Sequence, residues 1–77
     1  MTLAGYPRLE SDPRVCGGRV VIKGTRLRVV DVLEMLAGGM SEAMIVADYP
    51  QISAEDVRAA LSFAAESQRH QLLAAAG

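Results

Sequence analysis

The apolar residues of this chain change their period once, near Val30. Before that point they come in short runs separated by turn formers. In YPRLE, Pro7 biases Tyr6 away from the helical region, so this stretch reads as extended. In SDPRVCGG, Gly17 and Gly18 can supply the positive φ that a tight reversal needs. RVVI (19–22) and TRLRV (25–29) then read as two strands around Lys23-Gly24, a plausible hairpin connection.

From Val30 the period is helical. Val32, Leu33, Leu36 and Ala37 share one face, and Gly38-Gly39 ends that helix. Ser41 is placed to cap a second helix, with Met40 and Ile45 as a hydrophobic staple. That helix stops at Asp48-Tyr49-Pro50-Gln51, because proline disfavours helix at the residue before it. Ser53 caps a third helix, with Asp56 at the capping-box position and Ile52 and Val57 as a second staple. The third helix is expected to bury Val57, Ala60, Leu61 and Ala64. It continues through ESQRHQLLAAAG with weakening amphipathicity and frays at its end.

The predicted fold is therefore mainly α: a short N-terminal β-hairpin element followed by a three-helix bundle in a helix-turn-helix arrangement, homeodomain-like or winged-helix-like. It reads as one domain, residues 1–77, with a basic hairpin arm over 1–29 and a helical part over 30–77.

Size changes the picture. A 77-residue chain buries only about 60% of the surface its unfolded form exposes, so its own core is marginal. Small domains usually add disulfides, a metal or a partner. One cysteine excludes a disulfide within the chain, and one cysteine with one histidine cannot build a four-ligand zinc site. No cofactor is expected. A partner is the remaining supplement, most simply a second copy in a homodimer, and 51% hydrophobic residues agrees with that. The start of the chain lacks a signal-peptide pattern, and no apolar run approaches the roughly 20 residues needed to span a bilayer. With a free thiol suited to a reducing compartment, the expected location is cytoplasmic, away from membranes.

The net charge of −1 argues against a dedicated nucleic-acid binder, but its distribution is uneven. Arg8, Arg14, Arg19, Lys23, Arg26 and Arg28 face only Glu10 and Asp12 across residues 1–28, a net of +4. The remainder carries Arg58 and Arg69 against seven carboxylates, a net of −5. A basic front is joined to an acidic back.

Catalytic patterns do not survive inspection. A phosphate loop needs its glycines and lysine to open a helix; here they precede a β-branched strand, and Lys23 stands before Gly24. Cys16 as a nucleophile would need His70 as its base, on a distant helix; a small turn residue and a solvated helix residue are the simpler readings. Glu55 and Asp56 resemble an acid–base pair, yet first-turn carboxylates are explained by the helix dipole. No catalytic residue, metal ligand or small-molecule substrate is assigned, and the chain does not read as an enzyme.

VADYPQISAEDVRAAL follows a helix-turn-helix pattern, with Val46, Ala47, Ile52, Val57 and Leu61 in its apolar positions. The groove-entering helix would begin at Ala54 and expose Ala54, Glu55, Arg58, Ala59 and Ser62. With one arginine, no asparagine or glutamine, and Glu55 beside Asp56, that is a poor base-reading set. The same pattern equally suits a plain three-helix packing motif. If phosphates are bound, Arg14, Arg19, Lys23, Arg26 and Arg28 carry the charge for it; an acidic protein partner, or simple solvation of scattered surface charge, accounts for them as well.

SDPRVCGGRVVIKGTRLRV followed by LAGGMSEAMIVADYPQISAEDVRAALSFAAE resembles the domain-of-unknown-function 433 family. Members look like Vap-B-like antitoxins of type II toxin–antitoxin systems. The resemblance covers about residues 9 to 66. It implies a compact helix-turn-helix module with a short N-terminal β element, usually dimeric, whose cognate partner is a PIN-like ribonuclease toxin, with operator DNA as a second partner. The family often has proline where this chain has Val20 and Arg28. Restoring an N–H at each allows another ladder bond and, at Arg28, adds charge. PIN-like toxins hold Mg²⁺ with carboxylates, so a basic inhibitor element would be complementary to that site. The expectation is an antitoxin that neutralises its toxin and represses its own operon. A stand-alone helix-turn-helix regulator and a helper subunit of another complex are the alternatives.

Overall fold

The structure, a computed structural model, describes residues 2–14 and 16–76; side-chain surroundings are described for all of these except Cys16 and residues 70–76. The chain runs β1 (Thr2–Leu3), β2 (Tyr6–Glu10), a single 3₁₀ turn (Cys16–Gly18), β3 (Val21–Ile22), α1 (Val29–Ala37), α2 (Glu42–Asp48) and α3 (Ala54–Ala76). It is a mainly α fold of three helices with a small antiparallel sheet at the N-terminus, in the order β1-β2-β3.

The extended reading of YPRLE holds, and this segment is the central strand. It pairs with β3 through Leu9↔Ile22 and Glu10↔Val21, and with β1 through Leu3↔Tyr6. Pro7 is tolerated there because it lies on the β1 side of the strand, where the pairing is irregular between Leu3↔Tyr6 and Thr2↔Glu10. Gly5, at φ +82°, turns β1 into β2. Gly17 and Gly18 do take positive φ, at +67° and +85°.

The hairpin expected between 19–22 and 25–29 is corrected. Its turn forms, with the Thr25 N–H donating to the Ile22 carbonyl at 3.0 Å and Gly24 at φ +79°, the sign a type II turn places at its third residue. Its second strand does not. Between Val21 and Arg28 only an isolated bridge remains, flanked by Ile22 N–H to Leu27 O at 2.9 Å and Val29 N–H to Val20 O at 3.0 Å. The reason is competition from α1. Val29 and Val32, three positions apart, are both buried, so a helix starting at Val29 satisfies two core positions where a strand would satisfy one.

The start of α1 is unusual. Arg28 occupies the N-cap, and the Asp31 carboxylate accepts from its backbone N–H at 3.0 Å. An arginine side chain has no acceptor, so only this half of the reciprocal capping arrangement can form. The other two caps are built as the sequence implies. The Ser41 hydroxyl accepts from the Met44 N–H at 3.1 Å, and Ser53 and Asp56 exchange bonds, Ser53 N–H to Asp56 Oδ2 at 2.9 Å and Asp56 N–H to Ser53 Oγ at 3.4 Å.

One core joins sheet and helices: Leu9 and Ile22 pack with Val29, Val32, Ile45, Ile52, Val57 and Ala60. The basic N-terminal segment is thus anchored in the same core as the helices. On α3 the buried apolar positions among the described residues are Val57 and Ala60, with Phe63 and Ala64 half-buried. Leu61, expected inside, is 43% exposed, because it falls a quarter-turn round the helix from Ala60. Ala37, expected on the inner face of α1, is likewise exposed. No helix of the described residues is long and apolar enough to cross a membrane.

Candidate partner-binding surface

The five cations considered for phosphate contacts, Arg14, Arg19, Lys23, Arg26 and Arg28, do not form one patch. Arg14 is turned back on Asp12, which accepts from its backbone N–H at 2.8 Å, from Nε at 3.2 Å and from Nη2 at 3.1 Å. These bonds hold the Asp12 carboxyl below its usual range. Lys23 and Arg26 are exposed on the turn that follows β3.

Arg19 and Arg28 come together. Both line an open groove of about 420 Å³ between the start of α1 and the middle of α3, walled by Val20, Val30, Leu33 and Phe63. Arg28 is fixed there by Asp31, donating from Nη2 to Oδ1 at 2.7 Å and from Nε to Oδ2 at 3.1 Å. This hydrogen bonding lowers the Asp31 pKa; partial burial opposes it, and the charge of nearby Arg19 adds to it. Arg19 itself is exposed and makes no ion pair among the described residues; the same is true of Lys23.

The proposed groove-entering face of α3 lies on the opposite flank of the helix's first turns, and it is not bare. The β1–β2 turn stands beside it, so that Tyr6 and Arg8 share a cleft of about 330 Å³ with Glu55, Arg58, Ala59 and Ser62. Arg8 donates to Glu55 Oε2 at 2.7 Å and to Asp56 Oδ1 at 3.1 Å, bonds that raise its own pKa. The Tyr6 ring meets Phe63 edge to face, with centroids 5.4 Å apart at 86°, and its hydroxyl points at the Ser62 carbonyl, 3.5 Å away. Arg58 is held by Glu42 at 3.2 Å. Of the five residues expected to be exposed, Glu55, Arg58 and Ser62 are; Ala54 and Ala59 are half-buried, Ala59 against the core.

Tyr6 and Arg8 are the residues that sequence reasoning missed. The only signal was charge: an arginine in an extended segment, and a carboxylate pair at a helix start. Nothing in the spacing pairs residues 47 and 48 positions apart. Among the described residues, no three His, Cys, Asp or Glu side chains gather where a metal ion could sit. The side chains of Cys16 and His70, weighed above as nucleophile and base, lie outside the described residues.

Fold and surface together define a small α-rich module with a sheet-capped helix and an arginine-edged apolar groove. The chain belongs to the DUF433 family, proteins of unknown function, whose pattern matches residues 9–64. Its fold is similar to that of a DUF433 member from Anabaena variabilis ATCC 29413, with a TM-score of 0.76 at 28% identity over 82% of this chain and 62% of that one. It is also 37% identical over 56 residues to the uncharacterized protein y4eO of Sinorhizobium fredii (strain NBRC 101917 / NGR234). That match covers 73% of this chain and 25% of y4eO, so the chain spans about a quarter of that relative's length.

Proposed function

We propose that this protein is the antitoxin of a type II toxin–antitoxin pair, acting by binding a carboxylate-rich, PIN-like ribonuclease toxin through its basic segment. One observation carries this reading: the way the charges are spent. The cations near the start of α3 are consumed internally, Arg8 by Glu55 and Asp56 and Arg58 by Glu42. Arg19 and Lys23 stay exposed and unpaired among the described residues, with Arg26 exposed on the same turn. Cations left available for a partner sit on the β3 side, where they suit an acidic cleft.

The same layout bears on operator binding. A major groove about 12 Å wide admits one helix or one two-stranded ribbon. The N-terminal face of α3 has the β1–β2 turn beside it and offers Glu55 to the phosphates. A helix-turn-helix reading through Ala54, Glu55 and Arg58 is therefore the weaker one; phosphate contacts through Arg19, Lys23 and Arg26 would be sequence-independent.

The test is co-expression with the product of the neighbouring open reading frame. The expected result is a complex stable on size-exclusion chromatography with light scattering, and rescue of growth from the neighbour's toxicity. Arg19→Glu with Lys23→Glu should abolish both. A neighbour that is harmless, or that fails to bind the wild-type chain, overturns the antitoxin reading. Salt-sensitive DNA binding by the chain alone would then favour the stand-alone regulator.

A further inference from the structure

We infer that the groove between α1 and α3 receives an acidic, amphipathic segment of a partner protein. The inference takes from the proposed function only that a protein partner exists; it does not require that partner to be a toxin.

The groove's composition argues for that occupant. Val20, Val30, Leu33 and Phe63 make its walls apolar, two arginines reach it, and no carboxylate among the described residues lines it. Val30 is 39% exposed, while its neighbours Val29 and Val32 are buried. On α1, Leu33 is half-buried against the chain's own core, and Val30 beside it extends the apolar surface outward into the groove. A wholly apolar occupant would fill the walls and leave the Arg19 charge at their edge unanswered; a basic one would be repelled by it. A segment with apolar anchors at helical spacing and glutamate or aspartate beside them satisfies both.

The arginines have separate parts in this arrangement. Arg28 is already clamped by Asp31 through two bonds, so its position at the groove is set before anything binds. Arg19 has no such clamp and is available to meet a carboxylate directly. A second copy fits less well. In an interface between identical surfaces both sides bring Arg19, and no carboxylate among the described lining residues of either side answers it.

The experiment is selection from a random linear peptide library displayed on phage, against the full 77-residue chain. Binding of the winners is then measured by fluorescence anisotropy. The expected winners combine leucine-like anchors at helical spacing with aspartate or glutamate. Arg19→Glu should weaken them by about tenfold or more, and Val30→Asp should do so comparably, while Arg14→Ala, away from the groove, leaves them unchanged. Both groove substitutions are at exposed positions, and an unaltered thermal melt confirms that each variant folds. Winners that are basic or lack charge, winners indifferent to both substitutions, or no enrichment at all overturn the inference. So does light scattering that shows a dimer which Val30→Asp converts to monomer, since the groove is then covered by a second copy. None of these outcomes depends on the neighbouring gene, so failure here and failure of the antitoxin reading remain distinguishable.

Discussion

Arg8 and Asp56, 48 positions apart, are joined by a hydrogen bond of 3.1 Å that ties the central strand to the first turn of α3. The carboxylate serves two elements at once. Its Oδ1 accepts from Arg8, while its Oδ2 accepts from the Ser53 N–H that opens the helix. Asp56 is 9% exposed, a buried carboxylate that an exposed arginine reaches from the surface. Asp56→Ala should cost about 2 kcal/mol, because it leaves the Ser53 N–H without its acceptor. Asp56→Asn should retain much of that, since an amide oxygen still accepts. Arg8→Met is expected to lower the melting temperature of the wild type and to have little effect in the Asp56→Ala background. Equal effects in the two backgrounds, measured by a double-mutant cycle, would show that the two residues act independently.

The Ser53 cap gives a smaller and separate effect. Ser53→Ala removes the hydroxyl that accepts from the Asp56 N–H, leaves that N–H on the Ser53 carbonyl at 3.0 Å, and keeps the Ser53 N–H bonded to the carboxylate. A loss of about 1 kcal/mol is expected, read from denaturant midpoints. An unchanged midpoint would refute the assignment.

The core makes a cooperative prediction. Leu9 is fully buried on β2 and belongs to the one core cluster that also holds residues of all three helices. Leu9→Ala should cost about 3 kcal/mol, a large fraction of the stability of so small a domain. Helix loss followed by far-UV circular dichroism should shift with the exposure of Tyr6 on the sheet, in one transition. Helices that melt at the wild-type temperature would mean that the sheet is an appendage.

Acid should destabilise the fold through Asp31. Hydrogen bonding to Arg28 holds its carboxyl below the ordinary value of about 3.9. The folded chain therefore binds fewer protons than the unfolded chain near that pH. The resulting stability is present in full above the unfolded pKa and is lost as pH falls through it toward the lower folded value. Asp12, held down by Arg14, acts in the same direction. Asp31→Asn should lower stability at pH 7 and reduce the loss between neutral and acid conditions. An acid limb identical to the wild type's would exclude Asp31 from it.

Gly24 isolates a conformational cost. It sits at φ +79°, and an added Cβ would meet nothing within 4 Å. Gly24→Ala should therefore cost about 1 kcal/mol from backbone strain alone, and Gly24→Asn less, because asparagine tolerates the left-handed region. If alanine and asparagine behave alike, the strain account is wrong.

What was legible in the sequence was what local chemistry decides. Ser41 and Ser53 act on residues three positions away, the staples span five, and Gly17, Gly18 and Gly24 carry their conformational freedom with them. The starts of α2 and α3 follow from such short-range rules. Two features were not legible, for different reasons. The pairing of β3 with β2 is long-range: the β-propensity of Val21 and Ile22 does not say that Leu9 and Glu10 lie beside them, while toward Arg28 a single bridge remains. The pairing of Arg8 with Glu55 and Asp56 depends on the docking angle of the sheet on α3, which no periodicity encodes. The candidate surface was half visible. Arg19 and Arg28 stood out by charge, but the groove between them requires α1 and α3 to be placed, and Leu61 was assigned to the core that Phe63 helps to fill.

The brevity of the outer strands has a consequence for recognition. β1 and β3 are two residues long each, so the sheet presents no run of free backbone donors and acceptors on either side. A visiting chain cannot add itself as another strand, which closes the commonest route both to backbone-directed peptide capture and to edge-to-edge aggregation. Whatever this protein meets, it must distinguish by side chains, and selectivity is correspondingly open to change one residue at a time.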